Sequence, residues 1–224
     1  MKKETDVLKK IKIITIHFGT NHGSVLQAYA LSTYLKSVGC DAQIIDYVPD
    51  RYKIWNSLVS KRREQYPLPV ILAYYPIAVL KSFRIRKKFE SFLKKNLELT
   101  ARYSSNEKLK INPPAADAYI SGSDQVWNND YNGKNEFSYF LDFAPEKSKR
   151  IAYAASFGKE SISEEEYANK IKPLLQSFDA VSVRESDAQG ILHEMEITST
   201  HVVDPVFLLS KDQWKAFGNS RQSE

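Results

Sequence analysis

Apolar runs that predict strands alternate with amphipathic stretches that predict helices along most of this chain. Ile11–His17 predicts a strand, and Ser24–Val38, which carries a broad apolar face, predicts a helix that ends at Gly39. Ala42–Val48 predicts a second strand. A strand, a helix and a strand in this order form a βαβ unit, which implies parallel strands joined by a right-handed crossover.

The same alternation returns in the second half of the chain. Strands are predicted at Asp117–Ser121, Ile151–Ser156, Ala180–Arg184 and His201–Asp204, with a candidate edge strand at Phe137–Phe143. Helices are predicted at Ser163–Ser177, Ser186–Glu194 and Lys211–Phe217. The pattern therefore predicts an α/β fold with a doubly wound, mostly parallel sheet, in which ligands bind outside the carboxyl ends of the strands.

Residues 51–105 interrupt this alternation. Basic residues beginning with Lys61-Arg62-Arg63 occur there beside aromatic residues near helical spacing, so we interpret the segment as an inserted pair of helices. The basic and aromatic side chains of residues 61–95 fit a helix that contacts anionic lipid, and a solvated helix face over a local core explains them as well. The surrounding domain comprises residues 11–209, preceded by a polar tail at 1–10 and followed by a linker helix and tail at 210–224.

The bulk composition excludes some classes of protein but does not indicate a specific function. The 224 residues fit one large domain or two small ones, and a net charge of +5 with a pI near 9.0 fits an acidic partner. A single cysteine, Cys40, excludes an internal disulfide framework and a zinc site built on cysteines. No apolar stretch approaches the roughly 20 residues that span a bilayer, and the polar N-terminus does not resemble a secretory signal, so we expect a cytoplasmic protein. We expect neither a nucleic-acid partner nor a metal site, because no RNA-binding motif or metal-ligand spacing stands out.

A glycine-bearing loop, Gly19–Gly23, joins the first predicted strand to the first predicted helix. Backbone N–H groups at a helix start carry partial positive charge and bind anions, so the loop indicates an anionic or polar ligand. Its glycine spacing matches neither the dinucleotide fingerprint nor the P-loop. A tight turn that only joins the strand to the helix accounts for the loop equally well.

Five segments lie near the predicted strand ends in a fixed order. They are Asn21-x-Gly23-x-x-Leu26-Gln27-Ala28-Tyr29-Ala30-Leu31, Gly122-Ser123-Asp124-Gln125-Val126-Trp127-Asn128, Ala152-Tyr153-Ala154-Ala155-Ser156-Phe157-Gly158, Ser182-Val183-Arg184-Glu185 and Val203-Asp204-Pro205-Val206-Phe207-Leu208-Leu209. Each segment is common on its own. In this order and at these separations, over a stretch from Ile11 to about Trp214, the chain resembles the polysaccharide pyruvyl transferase family.

The resemblance implies a Rossmann-like domain that forms the N-terminal half of a two-domain enzyme similar to the GT-B glycosyltransferases. Such enzymes transfer pyruvate as a ketal from phosphoenolpyruvate to a sugar of a cell-surface polysaccharide or its lipid-linked precursor. Phosphoenolpyruvate is their donor substrate, and no cofactor is implied. The family's second domain carries an Arg-x-His-type segment with a catalytic histidine, for which this sequence has no counterpart. We therefore expect the chain to be a fragment without the second domain.

Arg184 is the first candidate for a donor-binding residue. It ends a predicted strand, and a guanidinium binds a carboxylate or a phosphate through two parallel hydrogen bonds. By resemblance, the family's donor-binding arginine lies at this position. A surface ion pair with Glu185 or Asp187 is the alternative interpretation.

The loop that begins at Gly122 combines side chains that suit a sugar. Ser123 and Gln125 offer hydrogen bonds, and the indole of Trp127 offers an apolar face for stacking. Asp124 is a candidate base that takes a proton from the acceptor hydroxyl. In the alternative interpretation, Asp124 caps a turn and Trp127 fills the core.

The remaining candidates lie in the opening loop and after the last predicted strand. Asn21 caps the helix, Gly23 permits close backbone approach, and together with Gln27 they are expected to form one wall of a ligand pocket. Asp204 either contacts the ligand or makes the turn before Pro205.

Two other functions stay open at this level. A nucleotide-sugar glycosyltransferase of the same two-domain architecture would differ from a pyruvyl transferase in its donor. A truncated, non-catalytic module that binds a glycan or a partner protein would share the fold without the chemistry.

Overall fold

A six-stranded, all-parallel sheet forms the centre of the part of the chain that the structure describes. The structure is a computed structural model and describes residues 9–18, 21–50, 83–85, 87–162 and 165–219. The strands are β1 (Lys9–Ile14), β2 (Cys40–Ile44), β3 (Ala118–Ser121), β4 (Lys149–Ala155), β5 (Ala180–Val183) and β6 (Thr200–His201). They lie in the order β2-β1-β3-β4-β5-β6, so the strand order reverses between β1 and β3. Open α/β sheets bind ligands at such a reversal.

Helices connect the strands. Helix α1 (His22–Ser37) joins β1 to β2 and begins after Asn21, whose side chain caps it. The other described helices are residues 83–85 and 87–96, Asn106–Ile111, Asn129–Asn132, Glu165–Gln176, Ser186–Glu194 and Lys211–Asn219. Short 3-10 helices lie at Ser138–Phe140 and Pro205–Leu208.

Each face of the sheet has its own hydrophobic core. On one face, α1 buries an apolar stripe against β1 and β2. The core residues there include Val25, Ala28 and Leu31 of α1 and Ile13 and Ile44 of the sheet. The core on the other face includes Tyr167, Ile171 and Leu175 of the helix Glu165–Gln176 and Ala188, Ile191 and Leu192 of the helix Ser186–Glu194. Helices that cover both faces of a parallel sheet make a doubly wound, Rossmann-like α/β fold, which confirms the fold class that the sequence predicts.

The edge strand predicted at Phe137–Phe143 is wrong. This segment contains the 3-10 helix Ser138–Phe140, and Tyr139, Phe140 and Leu141 are buried in the core. Leu141 has a left-handed backbone (φ 57°), which turns the chain and is incompatible with a strand. A short apolar run has the same sequence pattern whether it is buried in a strand or in a turn, so the pattern could not distinguish them.

Several strands end earlier than the sequence pattern indicates. β1 ends at Ile14 rather than His17, β5 ends at Val183 rather than Arg184, and the last strand covers only Thr200–His201. Beyond the end of β1 the bonds run through side chains instead of the main-chain ladder: Thr15 Oγ1 donates to Ser123 O, and His17 Nε2 lies 3.3 Å from Asp46 Oδ1. Arg184 consequently lies in a loop at the carboxyl edge of the sheet.

The predicted helical insertion is described only in part. Residues 51–82 lie outside the described ranges, and with them most of the segment predicted to contact lipid (61–95). Residues 87–96, within the segment predicted to be an inserted pair of helices, are helical.

Beyond that helix the chain returns along the outer edge of the sheet. Ile44 N donates to Glu98 O at 2.9 Å, and Tyr103 N donates to Asp46 O at 2.8 Å. Parallel bridges are formed on this side of β2 and its continuation. The return segment therefore satisfies backbone groups that an exposed edge strand would leave unpaired.

The helix Lys211–Asn219 packs on the domain through an aromatic cluster made of Tyr29, Phe92, Trp214 and Phe217. The ring of Phe217 lies 4.4 Å from that of Tyr29 in α1, and 5.8 Å from those of Phe92 and Trp214. The Trp214 indole also donates a hydrogen bond of 3.0 Å to a carbonyl of the preceding 3-10 helix. The segment predicted as a linker helix is thus attached to the sheet domain by side-chain packing.

Candidate functional site

Three predicted site residues meet at the carboxyl edge of the sheet. Arg184 follows β5, Ser123 lies in the loop after β3, and Asp204 begins the 3-10 helix after β6. Their side chains bond to one another although they lie up to 81 residues apart in sequence. With the adjacent Asp124 and Glu185 they form what we call the carboxyl-edge site.

Arg184 is held by two carboxylates and a hydroxyl. Its Nε donates to Glu185 Oε1 at 2.7 Å, and its Nη1 donates to Asp204 Oδ2 at 3.3 Å and to Ser123 Oγ at 3.4 Å. Burial by itself would lower the pKa of Arg184, but the bonds and charges of Glu185 and Asp204 outweigh it, so the pKa lies above its ordinary value. No residue in the described ranges accepts a hydrogen bond from Nη2. The guanidinium is therefore fixed in place with one nitrogen left for a ligand.

Asp204 makes a turn and also holds Arg184. Its Oδ1 accepts from Val206 N at 3.0 Å, which caps the 3-10 helix Pro205–Leu208, and its Oδ2 accepts from Ser123 Oγ at 3.1 Å. The two predicted roles of Asp204 were ligand contact and turn formation. The structure shows turn formation together with a bond to Arg184.

Gly122 and Ser123 form a tightly packed turn after β3. A Cβ at Gly122 would lie 2.9 Å from Thr15 Cβ, so a larger residue would push the loop away from the end of β1. Ser123 is completely buried, and its carbonyl accepts from Thr15 Oγ1 at 2.7 Å. Ser123 therefore contributes to the site from the buried side of the loop, through its hydrogen bonds to Arg184 and Asp204.

Asp124 is half-buried and stands between the loop and the first turn of α1. It accepts from Ser24 Oγ at 2.5 Å and from Gln125 N at 2.8 Å, and its backbone is left-handed (φ 84°). A non-glycine residue in this conformation is uncommon, and such residues are concentrated at functional sites. The carboxylate thus caps a turn, as the alternative interpretation held, while remaining accessible from the site.

Gln125 packs beside the loop that follows β4. Its Oε1 accepts from Asn128 Nδ2 at 3.1 Å. A Cβ at Gly158, whose φ is +60°, would lie 2.6 Å from Gln125 Cδ, so a larger residue there would strain the backbone and displace the Gln125 side chain.

Trp127 lies in the core, so its predicted contact with a sugar is corrected. Its side chain is 1% exposed, and its ring stacks on Phe140 at 5.6 Å and contacts Phe157 at 5.1 Å. The indole nitrogen donates to Tyr139 O at 3.2 Å. Because its ring face is covered by other rings, no face is left for a sugar.

The structure describes the end of the opening loop. Asn21 is exposed and caps α1 by accepting from Gly23 N at 2.9 Å, while residues 19 and 20 lie outside the described ranges. Gln27 is 2% exposed and its amide nitrogen donates to Thr15 Oγ1 at 2.9 Å and to Ser24 O at 2.8 Å. Asn21 and Gly23 thus stand at the rim, whereas Gln27 lies beneath the site.

A β-bulge in β4 lies next to Arg184. The pairing of β4 with β5 shifts register between Ala152 and Ala155, and Ala154 has a left-handed backbone (φ 52°). Ser182 Oγ accepts from Ala154 N at 3.2 Å and donates to Ala152 O at 2.9 Å, which holds the bulge. Ala155 O then accepts from Arg184 N at 3.2 Å. Bulges often re-aim side chains next to active sites, and here the bulge sets the backbone position of Arg184.

A chain of hydrogen bonds from the buried His17 through Asp46 to the exposed Arg102 supports the loop after β1. His17 Nδ1 lies 3.1 Å from Thr15 O, its Nε2 lies 3.3 Å from Asp46 Oδ1, and Arg102 Nε donates to Asp46 Oδ2 at 2.9 Å. Burial alone would raise the pKa of Asp46, but the hydrogen bonds from His17 and Arg102 outweigh it and the pKa lies below its ordinary value. The chain ties the return segment after residue 96 to the loop beneath the site.

Sequence reasoning missed three of these supporting residues: Thr15, Ser24 and Ser182. Thr15 was included in a predicted strand, and a hydroxyl at the end of an apolar run is the signal that could have indicated it. Ser24 and Ser182 lie within or beside segments that carry the family resemblance, but their partners are 100 and 28 to 30 residues away in sequence.

The described ranges contain no group of three or more histidine, cysteine, aspartate or glutamate residues that could hold a metal ion. Within them, no helix is long and apolar enough to cross a membrane.

The comparisons with known proteins identify the family. No curated protein and no solved structure matches the chain. A family model described as polysaccharide pyruvyl transferase matches residues 21–224, a span that begins at the cap of α1 and includes every residue of the carboxyl-edge site. The match covers most of the chain and confirms the resemblance seen in the sequence segments, and so the chain belongs to the polysaccharide pyruvyl transferase family.

Proposed function

We propose that this chain binds phosphoenolpyruvate at the carboxyl-edge site, as part of an enzyme that transfers pyruvate to a sugar of a cell-surface polysaccharide or its lipid-linked precursor. Family membership supports the transfer of a pyruvyl group to a polysaccharide. The observation that carries the donor assignment is Arg184, whose guanidinium is fixed at a strand end with Nη2 left for a ligand. Phosphoenolpyruvate offers it both a carboxylate and a phosphate.

The proposed chemistry places a sugar hydroxyl opposite the enol carbon of the donor. A proton adds to the methylene carbon, and one hydroxyl oxygen of the sugar bonds to the enol carbon as its proton passes to a base. A second hydroxyl oxygen of the same sugar then bonds to that carbon while the bond from the carbon to the phosphate oxygen breaks. The phosphate leaves with the proton of the second hydroxyl, and the ketal is complete. Asp124 is the proposed base for the attacking hydroxyl, because its carboxylate is half-buried beside Arg184's partner Ser123. Ser24 Oγ and Gln125 N orient the carboxylate by occupying one position on each oxygen.

The charges of the site indicate what else is needed to bind phosphoenolpyruvate. Among the five described residues that define the site, Arg184 is the one cation, and Asp124, Asp204 and Glu185 are the carboxylates. Such a site suits the neutral, hydroxyl-bearing acceptor, but a trianionic donor needs additional positive charge. We propose that a second Rossmann-like domain supplies this charge and the histidine that protonates the methylene carbon.

The test is pyruvate transfer from phosphoenolpyruvate in the full-length enzyme carrying Arg184→Ala. We expect turnover to fall by about 100-fold or more, because a fixed charge at the donor is lost. Arg150→Ala is the matched control, since Arg150 lies at the other end of the sheet and donates to Ala144 O at 2.6 Å. Near-normal turnover in Arg184→Ala would remove Arg184 from the donor site.

The same assay separates the competing functions. Transfer of label from a nucleotide sugar, with none from phosphoenolpyruvate, would indicate a glycosyltransferase instead. Calorimetric binding of a glycan without any affinity for phosphoenolpyruvate would indicate a non-catalytic module.

We place the reaction in the cytoplasm, where phosphoenolpyruvate is available. Flotation with anionic vesicles tests the lipid contact proposed for residues 61–95.

A further inference from the structure

The hydroxyl of Thr15 is buried between α1 and the loop after β3. Thr15 is fully buried; its Oγ1 accepts from Gln27 Nε2 at 2.9 Å and donates to Ser123 O at 2.7 Å. A hydroxyl has one hydrogen to donate. Since the amide of Gln27 occupies an acceptor position, the Thr15 hydrogen is directed to Ser123 O.

This bond lies at the reversal of strand order. The main-chain pairing between β1 and the loop after β3 ends with Gly122 N, which donates to Ile14 O at 2.8 Å. One residue further along both chains, the pairing continues through a side chain, from Thr15 Oγ1 to Ser123 O. Thr15 thereby determines where the loop leaves the sheet.

The other end of Ser123 reaches the donor-binding arginine. Ser123 Oγ donates to Asp204 Oδ2 at 3.1 Å and accepts from Arg184 Nη1 at 3.4 Å. A shift of the Ser123 backbone would move this hydroxyl relative to both partners. The hydrogen-bonded chain Gln27–Thr15–Ser123–Asp204–Arg184 therefore connects the inner face of α1 to the carboxyl-edge site.

We propose that Thr15 is a positioning residue: it sets the place of Ser123 and, through Ser123 and Asp204, the place of the Arg184 guanidinium. Gln27 in turn orients the Thr15 hydroxyl. Neither side chain contacts the substrate, because both are buried beneath the loop. The expected change in KM rests on the proposed binding of phosphoenolpyruvate at Arg184. The hydrogen-bonded connection from Thr15 to Arg184 does not depend on that proposal.

The kinetic test compares Thr15→Val, which keeps the shape and removes the hydroxyl, with Thr15→Ser, which keeps the hydroxyl. We expect Thr15→Val to raise KM for phosphoenolpyruvate by about tenfold, and Thr15→Ser to restore KM to near the wild-type value. Ser121→Ala is the matched control: Ser121 is equally buried, and its Oγ donates to Tyr139 O at 2.7 Å. A purely structural hydroxyl would lower stability in both Thr15→Val and Ser121→Ala and leave KM unchanged in both, and that result would overturn the proposal.

A double-mutant cycle tests the connection without relying on activity. The free energy of unfolding is measured for Thr15→Val, Asp204→Asn and the combined variant. We expect the loss in the combined variant to be smaller than the sum of the single losses, since the two residues act on one chain of bonds. Additive losses would overturn the proposal. If Thr15→Val does not fold, Gln27→Met, which removes only the orienting amide, replaces it in both measurements.

The kinetic test and the double-mutant cycle together distinguish failure of this proposal from failure of the proposed function. A wild-type enzyme that does not turn over phosphoenolpyruvate would contradict the proposed function, and the cycle would still decide the role of Thr15. Turnover that depends on Arg184 together with additive losses in the cycle would contradict Thr15 alone.

Discussion

At the scale of single residues, replacing two different glycines by alanine should have opposite effects on the stability of the fold. Gly158 has φ +60°, and a Cβ there would lie 2.6 Å from Gln125 and 2.9 Å from Asn128 Nδ2. We expect Gly158→Ala to lower the free energy of unfolding by about 1–3 kcal/mol, through backbone strain and crowding. Gly190 lies exposed in a helix with nothing within 4 Å of an added Cβ, so Gly190→Ala should raise stability by about 0.5–1 kcal/mol. Urea unfolding of both variants checks the pair, and equal effects would contradict the strain at Gly158.

Asp46 is the residue whose ionisation should be visible in the stability of the fold. Its pKa lies below the ordinary value because His17 and Arg102 bond to the carboxylate and outweigh the effect of burial. A carboxyl group with a lowered folded-state pKa stabilises the fold above its unfolded pKa of about 3.9, and this contribution is lost as pH falls through the folded-state value. The difference in unfolding free energy between wild type and Asp46→Asn should therefore shrink on acidification below about pH 4. A difference that is constant with pH would show that the carboxylate charge contributes nothing.

At the scale of elements, the β4 bulge lies next to Arg184 and is expected to position it. Ser182 holds it by bonds to Ala154 N and Ala152 O, and the bulge precedes the carbonyl that accepts from Arg184 N. We expect Ser182→Ala to lower stability by about 1–2 kcal/mol and also to reduce turnover of phosphoenolpyruvate. Ser177→Ala is the control, because Ser177 Oγ bonds to Leu174 O on an exposed surface and should change stability by less than about 0.5 kcal/mol. Unchanged turnover in Ser182→Ala would show that the bulge does not position Arg184.

The elements were largely predictable, whereas their ends were not. Periodicity gives the alternation of strands and helices, because each strand must be buried and each helix must cover one face of the sheet. It does not show where a ladder of hydrogen bonds stops, since Thr15 and His17 remain buried after β1 has ended. The strand prediction at Phe137–Phe143 is wrong for a related reason. Burial in a 3-10 turn and burial in a strand select the same apolar residues.

At the scale of the whole molecule, the aromatic cluster joins the helix Lys211–Asn219 to α1 and to the helix of residues 87–96. Phe217 contacts Tyr29, Phe92 and Trp214 in this cluster. We expect Phe217→Ala to lower the free energy of unfolding by about 1–3 kcal/mol, less than for a fully buried ring, and to speed amide hydrogen exchange within this helix. Lys215→Ala, an exposed change on the same helix, should alter neither. If exchange is equal in both variants, the cluster does not hold the helix in place.

The sequence by itself determined the α/β class, the family and the loops in which the site lies, because strand burial and the strand-end segments leave a pattern along the chain. It also singled out Arg184 and Asp204. Only the tertiary structure decided the partners: the bonds of Arg184 to Ser123 and Asp204, the place of Trp127 in the core, and the part of Thr15 and Ser182 in supporting the site. The physical reason is that a hydroxyl or an indole has the same identity in sequence whether it faces a ligand or a buried carbonyl. Its partner is chosen by packing between segments that lie far apart along the chain.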